Sequence, residues 1–102
     1  MKGAYFLCGG TWFCISSDPK TRSGPLQEYT HMAFHVEPNN FEQFKSHLLQ
    51  EGIQVWKENT SEGDSLYFLD PDGHKLEIHA TTWLDRIKST KIKPYAGMEF
   101  FV

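Results

Sequence analysis

Between residues 29 and 80 the apolar positions change their spacing from two to three or four and back to two, and this constrains the fold more than any other feature of the chain. In residues 29–36, Thr30, Met32, Phe34 and Val36 alternate with Tyr29, His31, Ala33 and His35, the period of a strand with two unlike faces. Pro38 ends that run. Asn39 with Glu42 three residues on has the form of a capping box, and Phe41, Phe44, Leu48 and Leu49 then make one apolar stripe up to Gly52. Three short strands are expected at 53–57, 65–69 and 75–80, the last two joined through the turn Asp70-Pro71-Asp72-Gly73. The order β-α-β-β-β is that of an α+β unit whose helix lies on one face of a sheet.

Upstream, residues 4–8 and 11–15 are apolar and β-prone and are separated by Gly9-Gly10, which predicts a tight hairpin. Residues 16–28 hold two Pro, a Gly and charges of both signs without periodicity, so they read as a crossover loop. Downstream, Thr81 is placed to cap a short helix over 82–89, and Pro94-Tyr95-Ala96-Gly97 opens an aromatic tail.

Charge narrows the function classes. The net charge is −3 and there is no basic run, so nothing supplies the stripe that a phosphate backbone needs, and no nucleic-acid partner is expected. No segment approaches the roughly 20 apolar residues of a membrane span, and no signal segment is visible, so a cytoplasmic protein is expected. Cys8 and Cys14 lie in apolar runs without CxxC spacing and read as small hydrophobes.

If the apolar set of each strand covers the helix, the other set shares a second face. That face collects His31 and His35 from one strand, Glu77 and His79 from another, and Ser65 and Tyr67 from a third. Imidazoles and a carboxylate on rigid strands are the ligand types of Mn²⁺, Fe²⁺, Zn²⁺ or Ni²⁺, although solvated or hydrogen-bonded side chains have the same pattern. Spacing does not select among His31, His35 and His79. Residues 57–65, rich in hydroxyl, amide and Gly groups, suit a connecting loop or the wrapping of an ion by backbone groups. The acidic turn at 70–73 reads as structural, and no GxGxxG, P-loop, GxSxG or HExxH is present.

Several strings are more specific. Tyr29-Thr30-His31-Met32-Ala33-Phe34, Trp56-Lys57-Glu58-Asn59, Ser61-Glu62-Gly63-Asp64-Ser65, the run from Tyr67 through Asp70-Pro71-Asp72-Gly73-His74 to Glu77, and Pro94-Tyr95-Ala96-Gly97-Met98 resemble the fosfomycin-resistance glutathione transferases of the FosA type. Those enzymes belong to the glyoxalase/bleomycin-resistance, or vicinal oxygen chelate, superfamily, built from paired βαβββ modules. The resemblance implies Mn²⁺ or another divalent metal held by two His and one Glu, with His31 and Glu77 as the two ligands matched here, so the metal is expected to be weakly held. It implies Lys57, Ser61, Ser65, Tyr67 and Arg86 as the phosphonate-binding set, and Asn59, Ser61, Gly63 and Ser65 as a potassium loop. Trp12 looks like a pocket-wall aromatic. Glutathione would add to the epoxide of fosfomycin.

By the same resemblance the chain is expected to comprise residues 1–28, the last hairpin of a first module with its crossover, and residues 29–102, one complete βαβββ module with a C-terminal helix and tail, in a single structural domain. A family member would carry a further metal His and a Thr that promotes thiol addition on an earlier strand, and neither has a counterpart in this sequence. The expectation is therefore an N-terminally truncated transferase of impaired or no activity, with His35, His79 or water completing the metal shell, or else a non-catalytic small-molecule-binding or dimerisation module. A homodimer with exchanged N-terminal hairpins is expected, since a lone hairpin is marginally stable.

Overall fold

In the computed structural model, which describes residues 2–60 and 63–101, the chain forms β1 (Gly3–Cys8), β2 (Thr11–Ser16), β3 (Met32–His35), α1 (Pro38–Gln50), β4 (Val55–Lys57), β5 (Ser65–Leu69), β6 (Lys75–His79) and α2 (Trp83–Ile92). β3, β6, β5 and β4 lie in that order in one sheet, with β3 parallel to β6 and the other pairs antiparallel. Phe34 is in register with Ile78, Leu66 with Ile78 and Phe68 with Leu76, so these side chains share a face. α1 covers it. Phe41 of the helix is only 2% exposed and packs with Leu66, Phe68, Ile78 and Ala80, flanked by Phe34, Val36, Leu48, Ile53 and Leu76. Each such burial removes about 1.5–3 kcal/mol of unfavourable hydration, which makes this layer the main source of stability.

β1 and β2 form a separate two-stranded sheet, with Phe6 opposite Phe13 and Cys8 opposite Thr11. Gly9 turns the hairpin with φ 63°, a left-handed conformation that costs glycine little. The register puts Ala4, Phe6, Phe13 and Ile15 on one side and Tyr5, Leu7, Trp12 and Cys14 on the other. Both sides are apolar. The first reaches the main sheet through Phe13, whose ring lies 5.7 Å from that of Phe34. On the second, Tyr5, Leu7 and Trp12 remain 75%, 77% and 72% exposed.

Several boundaries differ from the sequence expectation, and four elements show why. β3 begins at Met32 rather than 29 because its register, Met32 with Leu76, would carry Tyr29 and Thr30 past the start of β6. The Asn39 capping box does not form: Glu37 is the N-cap without a side-chain bond, and Pro38 opens α1, its fixed φ suited to a first helical residue. β4 starts at Val55 because the Ile53 N–H bonds to the Leu48 carbonyl at the helix end, beside Gly52 with φ 81°. α2 is capped by Thr82, not Thr81, whose hydroxyl accepts from Asp85 N at 3.1 Å, and it runs on to Ile92. Buried Thr90 is carried within that extension by bonds from its Oγ1 to the carbonyls of Arg86 and Ile87.

The crossover is held against the far end of the sheet. A Cβ on Gly73, which has φ 87°, would come within 2.8 Å of Gly24 C and Pro25 N, so only glycine permits that approach. Among the described residues no helix is long and apolar enough to cross a membrane.

Candidate metal and anion site

The sheet face opposite α1 carries the polar residues. The pairings Tyr67 with Glu77, Ser65 with His79, Ala33 with Glu77 and His35 with His79 place their side chains on that one surface. His31 precedes β3 with the same parity. α2 and the segment after it close one side, giving a cavity of about 1100 Å³ lined by Tyr29, His31, Lys57, Tyr67, Glu77, His79 and Arg86, among others.

At its floor, His31 Nε2 lies 2.9 Å from Glu77 Oε1. His31 Nδ1 lies 2.9 Å from the Tyr29 carbonyl, which can only accept, so Nδ1 carries a hydrogen and Nε2 is the atom turned to the carboxylate. Glu77 is 5% exposed, and its Oε2 accepts from Ser65 Oγ at 3.1 Å, with His79 Nδ1 at 3.5 Å. A buried carboxylate facing an imidazole nitrogen whose ring is oriented from behind by a carbonyl is the donor arrangement that suits a divalent cation. The residues present fit such an ion.

Cationic groups flank this floor. Lys57 Nζ donates to Tyr29 Oη at 2.8 Å and lies 4.8 Å from the ring centres of both Tyr29 and Tyr67. The bond to Tyr29 holds the Lys57 amine above its ordinary 10.5; partial desolvation opposes this, and Tyr67, Tyr29 and Glu77 add to the rise. Arg86, one helical turn into α2, lines the same cavity. Two fixed positive charges over a metal-type donor set can neutralise a doubly charged anion such as a phosphonate.

The structure brings together His31, Glu77, Lys57, Ser65, Tyr67 and Arg86 of the expected set. Asn59 Nδ2 bonds to the Gly63 carbonyl at 2.9 Å and so folds the loop proposed for potassium, while Ser61 lies outside the described residues. A Cβ on Gly63, which has φ 74°, would overlap the Thr81 methyl, so only glycine fits beside the end of β6 there. Trp12 does not line the cavity, since it stays on the hairpin with its ring 5.8 Å from Tyr5. His35 also lies away from the floor, with Nδ1 3.2 Å from the Thr81 carbonyl and Nε2 3.4 Å from Glu37. The sequence reading missed Tyr29, which holds His31 by its carbonyl and Lys57 by its phenol. Its place two residues before His31, on the same side of an extended segment, was the available signal. Asp70, Asp72 and His74, read as a turn, do gather three potential metal donors, with His74 Nδ1 2.8 Å from Asp70 Oδ2.

Comparison with known proteins agrees with this geometry. Residues 1–78 match the family model of the Glyoxalase/Bleomycin resistance protein/Dioxygenase superfamily. The chain is 50% identical over 100 residues to glutathione transferase FosA of Serratia marcescens, covering 96% of this chain and 71% of that one. It is 40% identical over 91 residues to metallothiol transferase FosB of Shouchella clausii, covering 84% of this chain and 62% of the relative. Among solved structures, the fosfomycin resistance protein FosX of Listeria monocytogenes, complexed with Mn(II) and sulfate, superposes with a TM-score of 0.70 at 32% identity, over 86% of this chain and 70% of FosX. The chain therefore belongs to the Glyoxalase/Bleomycin resistance protein/Dioxygenase superfamily, in the lineage of the fosfomycin-resistance thiol transferases.

Proposed function

We propose that this chain is a FosA-like site for a small phosphonate and a divalent metal, built for adding a thiol to the epoxide of fosfomycin, and that the 102-residue chain by itself performs that addition poorly or not at all. The carrying observation is the His31–Glu77 contact, with the imidazole tied from behind by the Tyr29 carbonyl. His31 and Glu77 would hold Mn²⁺, which when bound supplies Lewis acidity toward an epoxide oxygen. Lys57, Arg86, Ser65, Tyr67 and Ser61 bind the phosphonate and cancel its charge, so that an anionic thiolate can approach. Asn59, Gly63, Ser61 and Ser65 shape the loop read as a potassium site, and glutathione is the co-substrate, as the name of the Serratia relative suggests.

Low activity follows from the donor count. Among the described residues of the cavity, His31 and Glu77 form the one imidazole–carboxylate pair drawn within 3 Å, and a catalytic metal site uses three protein ligands with open positions for substrate. The hairpin of β1 and β2 packs on its own module through Phe13 and Phe34 rather than in the exchanged arrangement expected from the sequence, and a second copy covers its outer apolar face, giving a homodimer in the cytoplasm. With Mn²⁺, K⁺, glutathione and fosfomycin, mass spectrometry is expected to find little or no adduct. Phosphorus NMR is expected to show fosfomycin bound in the presence of Mn²⁺ and released in Lys57→Ala or Arg86→Ala. An unchanged phosphonate signal in the wild type would refute the binding reading, and rapid adduct formation would refute the impairment.

The dimer reading supports a second role as a dimerisation module without turnover, and the observation that favours it is the hairpin's two apolar faces. The phosphorus NMR experiment separates the two, since fosfomycin bound in the presence of Mn²⁺ supports the first and a free signal supports the second.

A further inference from the structure

We propose that a second cavity, formed where the crossover meets the end of α1 and the turn before β6, binds a small zwitterion: an α-amino acid with an aliphatic side chain. This cavity has a volume of about 510 Å³ and shares no lining residue with the metal and anion site. Its size is within the roughly 300–1,000 Å³ of small-molecule sites. Its charges are unmatched. Arg22 from the crossover, Glu51 from the C-cap of α1 and Asp72 from the turn all border it, yet among the described residues no ion pair joins them. Arg22 Nε is buried without a hydrogen-bond partner. A desolvated guanidinium without an acceptor is costly, and a charge-assisted bond to a carboxylate is the strongest way to relieve it. Asp70, by contrast, is committed to the turn. Its Oδ1 accepts from Asp72 N at 2.9 Å and His74 N at 2.8 Å, and its Oδ2 faces His74 Nδ1.

A ligand of one sign does not suit this set of groups. A simple anion would pair with Arg22 but also meet Glu51, Asp72 and the C-terminal end of α1, where the helix dipole is negative. A simple cation would match those groups and leave Arg22 without an acceptor. A zwitterion satisfies both, with its carboxylate on Arg22 and its ammonium toward Glu51 and Asp72. The aliphatic side chain has its own place. Leu69, buried at the end of β5, and Ile53, half-buried beyond α1, give the cavity an apolar portion where a short hydrocarbon chain loses its hydration. The frame is already closed: Gly24, Pro25 and Gly73 line the cavity, and a Cβ on Gly73 would come within 2.8 Å of Gly24 C and Pro25 N. A preformed cavity of this kind needs little ordering when a ligand enters.

The test is a titration of the full 102-residue chain, with no metal or phosphonate present, followed by nitrogen–proton correlation NMR. The probes are L-leucine and two analogues of its shape: isocaproate, which lacks the ammonium, and isoamylamine, which lacks the carboxylate. L-leucine is expected to bind in the millimolar range and to move the amide signals of Gly24, Gly52, Ile53 and Gly73, with each analogue at least about tenfold weaker. Arg22→Gln is expected to remove the preference for leucine over isoamylamine. Glu51→Gln, at an exposed position, is expected to reduce the preference over isocaproate, and unchanged thermal melts show that both variants fold. An analogue that binds as well as leucine overturns the proposal, as do leucine affinities that ignore both substitutions, or leucine that moves none of these amides. Any of those results leaves the metal and phosphonate reading standing, because the two cavities have no residue in common.

Discussion

The hairpin of β1 and β2 and the four-stranded sheet are both β structure, yet they solve opposite problems. In the sheet, one face is apolar and lies under α1, and the other is polar and forms the cavity. Each face has a matching environment. In the hairpin both faces are apolar; one meets the sheet through Phe13 and Phe34, and on the other Tyr5, Leu7 and Trp12 are exposed. A two-stranded ribbon contributes few backbone bonds and leaves two open edges, and on its outer side those three side chains stay exposed. The contrast teaches where stability resides: the sheet buries a full apolar layer under α1, whereas the hairpin buries little of its own.

The largest test of that contrast is Phe41→Ala, which removes the most buried large side chain in the core. A loss of about 3–5 kcal/mol is expected in urea denaturation, enough to unfold much of a domain of this size. Trp12→Ala in dilute protein is expected to stay within about 0.5 kcal/mol, because an exposed side chain has little packing to lose. A Trp12 loss approaching that of Phe41, and growing with protein concentration, would show that the hairpin is buried in the assembly and would favour the dimer.

The assembly itself is the next test. Light scattering after size exclusion, at tens of micromolar protein, is expected to report a dimer for the wild type. Replacing Tyr5, Leu7 and Trp12 together by Ser is expected to give monomer, with the thermal melt of the sheet retained. A triple variant that remains dimeric would remove the hairpin's outer face from the interface.

Much of the sheet's side of the comparison was legible in the sequence, for a physical reason. Alternation along 65–69 and 75–79 carries the two-faced pattern directly, so it places Ser65, Tyr67, Glu77 and His79 on one face, as the register does. The ends of elements were less legible, because they depend on competition between groups. Asn39 could cap a helix, but Pro38 began it one residue earlier. Ile53 could extend a strand, but its N–H closes α1. The choice among His31, His35 and His79 turns on side-chain partners such as the Thr81 carbonyl, which no spacing encodes.

A smaller effect is expected where the crossover meets the sheet. Gly73→Ala forces a side chain into a left-handed conformation and against the backbone of Gly24 and Pro25, at a cost of about 1–3 kcal/mol in urea denaturation. Thr82→Ala, which removes the α2 cap, is expected to cost about 1 kcal/mol. If Gly73→Ala were neutral, the strap would be free to lift from the turn, and the sheet would be shown to stand without it.

The smallest effect concerns pH and reads the cavity face directly. The Lys57 amine is raised above 10.5 chiefly by its bond to Tyr29 Oη. A folded-state value above the unfolded one means that the contact favours folding fully below pH 10.5 and that this contribution fades as the pH climbs through the raised value. Stability at neutral pH is therefore untouched, and any dependence lies in the alkaline range. Tyr29→Phe keeps the ring and the carbonyl that orients His31 while deleting the bond to Lys57. The Lys57 titration, followed by carbon NMR at Cε, is expected to move down toward its ordinary range, with Mn²⁺ binding unchanged. A Lys57 titration that ignored the substitution would mean that Tyr67 and Glu77 hold the ammonium, and Tyr29 would then be joined to the site by its backbone alone.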